Sequence, residues 1–157
     1  MKKLILFTFI FYLSGCSSLG GSKGAPFQGL SDIEPNATQI YMYRPSSFVM
    51  SLAIPTVKLN SEPAEGVRNG SYIVYELPPG KHKFNLSNNA NWAAGNIEFS
   101  VDALEGERYF YRLTAHVDDM AAYGQFVTIS MGSHLHQVSK EFALQEMAEL
   151  KFTRIWP

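Results

Sequence analysis

Two adjacent prolines, Pro78 and Pro79, interrupt the most strand-like part of the sequence and constrain its fold more than any other feature. They lie in the stretch from Asn69 to Phe84, NGSYIVYELPPGKHKF. Neither proline can donate to a strand ladder, so a strand that enters them has to stop. Tyr72, Ile73, Val74 and Tyr75 are β-branched or aromatic, which suits a pleated, half-buried surface. The reading is a strand over 71–77, a Pro78-Pro79-Gly80 turn and a second strand over 81–87, forming a hairpin in which Gly80 takes a positive φ. Asn69-Gly70 offers another tight turn just upstream.

Short strand signals recur on both sides. Over 39–44 the residues alternate, with Ile40, Met42 and Arg44 on one face and Tyr41 and Tyr43 on the other. Further strands are expected over 56–59, 96–101, 108–117 and 125–131, and 48–54 reads as a strand or a covering loop. A chain of 157 residues, 46% hydrophobic and 17% charged, suits one domain with a real core and is too poor in charge for disorder. The expected fold class is all-β: an antiparallel β-sandwich over 38–157 with one short C-terminal helix. That helix is placed over 140–150, capped by Ser139, with Ala143, Met147 and Leu150 on one face. The tail, with Ile155-Trp156, is expected to tuck onto the domain.

The first sixteen residues speak of destination. Lys2 and Lys3 precede an apolar run from Leu4 to Leu13, too short for a bilayer core, which needs roughly 20 residues. A basic front and a short apolar run form a secretory signal peptide, here 1–15. The run ends in Leu13-Ser14-Gly15-Cys16, which resembles the bacterial lipobox, with Leu13, Ser14 and Gly15 as the peptidase recognition residues and Cys16 as the lipidated one. The competing reading is an ordinary signal peptide with a cysteine nearby by chance. Cys16 is the single cysteine of the chain, so it cannot form an internal disulfide. The resemblance implies a diacylglyceryl thioether and an N-acyl group on Cys16. At about 0.8 kcal/mol per buried CH₂, one chain anchors marginally and three hold firmly. Residues 16–37 are rich in glycine and serine and read as the lipidated N-terminus and a flexible tether, with Phe27, Leu30 and Ile33 able to dock. Ser17, where an Asp would favour inner-membrane retention, leans the expectation towards the outer membrane, facing the periplasm.

TQIYMYRPSSF, PTVKLN and NGSYIVYELPPGKHKF occur in that order and together resemble a family of small bacterial lipoproteins with a domain of unknown function. The resemblance spans roughly Thr38 to Val117. It implies a transthyretin-like or PEGA-like sandwich and assigns no activity. Asn60-Ser61-Glu62-Pro63 stands where such proteins often carry a tight Asp-Gly turn.

Chemistry is sparse. His134 and His136 would share one face of a strand, where two ligands could meet a metal, but no third ligand of a recognisable motif follows, and two solvated edge histidines are the simpler reading. His82 is expected to bond neighbouring backbone. His116 with Asp118 or Asp119 has the makings of an acid–base pair, although Asp118-Asp119 reads more simply as a turn. There is no nucleophile elbow, P-loop or dinucleotide fingerprint, so no catalytic residue, metal or cofactor is expected. The formal charge of −1 argues against nucleic acid. Trp92, set in SNNANWAAGN, either stacks on a sugar or partner or folds back over the sandwich end. The expected function is a lipid-anchored, non-enzymatic binding or structural module of the cell envelope. Its partners are then the membrane and an envelope protein or glycan. A carbohydrate-binding domain is the alternative, and a hydrolase the remote one.

Overall fold

The prolines send the chain from one sheet to another. The computed structural model describes residues 22–60, 62, 65–87, 92 and 94–156, with backbone alone at 123 and 154–156. Its strands are β1 (Thr38–Arg44), β2 (Thr56–Leu59), β3 (Glu65–Gly66), β4 (Ser71–Leu77), β5 (Gly80–Ser87), β6 (Ile97–Ala103), β7 (Arg108–Tyr123), β8 (Phe126–Val138) and β9 (Lys151–Trp156), with helix α1 (Lys140–Met147) before β9. They build a five-stranded sheet, β8-β7-β1-β4-β9, and a four-stranded sheet, β3-β2-β5-β6. The fold is therefore an all-β sandwich with one short helix. Strands β4 and β5, read as a hairpin, lie in different sheets. Without N–H groups at Pro78 and Pro79 the ladder cannot continue around the turn, so the chain crosses over. Gly80 takes φ 139°, and His82 Nε2 lies 2.8 Å from the Pro78 carbonyl oxygen, bracing the crossing.

The sheet is not purely antiparallel. β1 pairs antiparallel with β4, but β7 runs parallel to β1 and β9 parallel to β4. Parallel neighbours need long connections, and these supply them: 63 residues, 45–107, lie between the end of β1 at Arg44 and the start of β7 at Arg108, and the second sheet forms inside that excursion. All seven residues of β1 are buried. The alternation read in the sequence holds, yet neither face is wet. Ile40 and Met42 face the second sheet, in a core with Ile73, Phe84, Leu86, Trp92 and Leu113. Tyr41 and Tyr43 face a second core made with Tyr72, Phe110, Ala143, Met147 and Leu150. Burial on both faces is what a central strand between two covers requires.

The helix stops at Met147, short of the expected 150, but Leu150 still packs in that second core. Ser139 caps it, its hydroxyl accepting from Phe142 N at 3.3 Å. From residue 22 onward the stretch expected as a tether lies against the domain, with Phe27 and Leu30 docked on the second core. Pro26 bridges Lys151, Phe27 N donates to Leu150 O at 2.9 Å, and the Phe27 ring meets Tyr72 edge-on at 5.4 Å. Residues 48–54 form a loop of tight turns, with Phe48 95% exposed.

Candidate functional site

β7 and β8 run far beyond their expected ends. Only 108–112 of β7 pair with β1, whereas β7 and β8 stay paired out to Tyr123 and Phe126. Leu113, Ala115, Met131 and Leu135 still lie in or against the sandwich core, and beyond the Val117–Met131 pair the two strands project as an arm. Asp118-Asp119, read as a turn, instead marks a register shift between Val117 and Asp119, a bulge that lets the strand continue.

The bulge assembles a polar cluster on one face of the arm. His116 Nε2 lies 2.7 Å from Asp118 Oδ1. His116 and His134 rings are 4.2 Å apart between centroids, and His134 and His136 5.3 Å. His134 and His136 share a strand face as expected and are exposed; the structure adds His116 across the ladder. Gly132 sits opposite His116, and a Cβ there would meet Asp118 Oδ2 at 2.6 Å and His116 Nε2 at 2.8 Å. A glycine is what leaves room for the pair. Among the described residues no three His, Cys, Asp or Glu side chains are placed to hold a metal ion.

At the root of the arm, Arg112 ties β7 to the helix. It donates to both carboxylate oxygens of Glu146, Nε at 2.6 Å and Nη2 at 2.8 Å, and Tyr43 Oη donates to the same carboxylate at 2.8 Å. Partial burial of Glu146 favours its neutral form, but the Arg112 and Tyr43 hydrogen bonds outweigh it and hold the carboxyl below its ordinary range. Burial first, and the Glu146 contact second, push the Tyr43 hydroxyl well above its ordinary value.

Trp92 does not stand out of its loop. It is 0% exposed, and the Arg44 guanidinium lies over its ring at 4.9 Å. A fully buried indole presents no face to a sugar or partner in this arrangement. Arg44 is itself 1% exposed; it donates to Ala53 O and Met50 O, both at 2.7 Å, and burial pulls its pKa down to about 10. These two bonds hold the 48–54 loop in turns instead of a strand. Nothing in the local sequence signals this role for Arg44, since its acceptors are backbone carbonyls. The arm's exposed apolar side chains carry no local signal either, because a double aspartate reads as a strand end.

Leu13, Ser14, Gly15 and Cys16 lie outside the described residues. No curated protein and no solved structure matches the chain. A family model, described as a protein of unknown function (DUF2846), matches residues 34–125, from just before β1 through β7. That match covers more than half of the sequence, and the chain belongs to the DUF2846 family.

Proposed function

We propose that this chain is a lipid-anchored lipoprotein of the bacterial cell envelope, whose sandwich is a non-enzymatic binding or structural module. Cys16 carries the lipid, and the domain sits at the outer membrane, facing the periplasm. The observation that carries the reading is the order of the first sixteen residues: two lysines, an apolar run and Leu13-Ser14-Gly15 before the single cysteine. The strongest polar interactions fit a structural module as well. Arg44 holds a loop, Arg112 and Glu146 hold a helix, and His82 braces a sheet crossing. The glycan-binding alternative loses its main residue with Trp92 buried. Substituting Cys16→Ala and following metabolic lipid labelling and detergent partitioning tests the proposal. The variant is expected to lose both; labelling that persists would sink the reading.

A further inference from the structure

The arm's free end differs from the rest of the molecule. From Met120 to Met131 the sequence reads MAAYGQFVTISM, without one charged residue or histidine. Phe126 is 77% exposed, Met120 63%, Val127 60% and Ile129 49%. In the ladder Met120 faces Ile129 and Ala122 faces Val127, so these four side chains share one face of the arm, while Phe126, paired with Tyr123, lies on the other face at the tip. Along β8 that face continues through Met131 to Leu135, which packs against the sandwich core. An apolar stripe therefore leaves the core, passes the bulge and ends in solvent.

We propose that this tip is a membrane-contact element, seated on the phospholipid bilayer that holds the lipid on Cys16. The inference rests on the anchoring reading above. It is argued from where the chain leaves the sandwich. Ser22 donates through its hydroxyl to Phe152 O at 3.1 Å. Phe152 pairs with Tyr72, Tyr72 with Tyr43 and Tyr43 with Arg112, one row across the whole sheet. Strand β7 leaves that row, passes the core at Leu113 and Ala115 and continues into the arm. From Arg112 to Tyr123 it extends roughly 35 Å at about 3.3 Å per residue. Six residues from Cys16 to Ser22 span at most about 20 Å. The tip thus lies farther from that row than the tether can reach, so a lipidated Cys16 keeps the bilayer within reach of the tip.

Charge and backbone chemistry fix the depth. An uncharged tip meets an anionic headgroup layer without repulsion, and Asp118 and Asp119 lie behind it. The outer edges of a two-stranded ribbon carry unpaired N–H and C=O groups, which hydrocarbon does not tolerate. The ribbon's backbone thus stays among headgroups and water, while Val127, Ile129 and Met120 on one face and Phe126 at the tip reach the acyl boundary, about 5–10 Å in. Edge pairing between arms of two copies is the competing occupant.

The test uses the full-length protein purified from membranes, where the Cys16 thiol is consumed by its thioether. An environment-sensitive dye is placed on Phe126→Cys, and on Lys81→Cys, at the start of β5, as control. Each protein is reconstituted in vesicles of phosphatidylethanolamine and phosphatidylglycerol carrying acyl-chain quenchers, and lipidation of Cys16 is measured on the same sample. The dye at 126 is expected to be quenched several-fold more than that at 81, and most by shallow quenchers. Equal quenching on a protein that is lipidated overturns the tip contact and leaves the anchor standing. Equal quenching with crosslinks between arms does so too, in favour of the second copy. If Cys16 proves unlipidated while the protein still floats with vesicles, and floats less after Val127→Ser with Ile129→Ser, the anchor reading fails and the tip contact holds. An unlipidated protein that does not float overturns both.

Discussion

The two faces of the five-stranded sheet each place an arginine beside aromatic packing, and they satisfy it differently. On the sandwich side Arg44 is sealed under Trp92, with two carbonyls and a π-face as partners and, among the described residues, no carboxylate in ion-pair range. On the helix side Arg112, at 27% side-chain exposure, meets Glu146 in a bidentate pair with Tyr43. The first arrangement is made by packing and costs desolvation, as the lowered Arg44 pKa records. The second is made by charge and needs little burial. The sandwich side should therefore yield to lost volume, and the helix side to lost charge.

The largest expected effect is Trp92→Ala. Removing a fully buried indole should cost about 3–5 kcal/mol in chemical denaturation. A loss under about 1 kcal/mol would break the comparison, since the Arg44 site would then not depend on its cover. Next is Gly80→Val at the crossing between the sheets. Its Cβ would meet nothing within 4 Å, so space is not the obstacle; the φ of 139° is. The expected loss is roughly 1–3 kcal/mol, read as a lowered melting temperature. A variant as stable as the parent would mean the crossing relaxes to another conformation.

Glu146→Gln sharpens the helix side. Its loss should be about 1–2 kcal/mol at neutral pH, a charged hydrogen-bond pair partly open to solvent. Its pH dependence follows from the sign of the shift. The folded carboxyl sits below its ordinary value, so its contribution is complete above the unfolded pKa and fades as pH falls through the folded one. The gap between parent and variant should therefore close on acidification; a gap that stays constant down to pH 2 would rule charge out. Ser139→Ala should cost the least, about 0.5–1 kcal/mol for an N-cap, measured by thermal unfolding.

What the sequence made legible follows from local chemistry. The strand bounds of β2 and β4 came from β-branched runs and breakers, and the Ser139 cap from one hydroxyl before a helical stripe. The crossing at Pro78 was legible as a stop but not as a change of sheet, because a proline says where a ladder ends and not which neighbour comes next. Parallel pairing of β7 and β9 depends on partners more than sixty residues away, which no local pattern encodes. The arm was lost at Asp118-Asp119, since a bulge and a turn favour the same residues. Of the candidate site residues, Trp92 carried two readings because a loop tryptophan looks alike whether its cover is a partner or the protein itself.

The β4–β9 pairing has a kinetic consequence. The strand that closes one sheet edge, β9, follows all the other described strands in the chain, and it is the strand on which residues 22–27 rest. Until residue 151 has emerged, the earliest part of the domain has no surface to settle on. Contacts this distant are slow to form, because the chain between them must first be ordered. For a protein proposed to pass through a membrane before it works, late closure keeps the polypeptide threadable until its far end has followed.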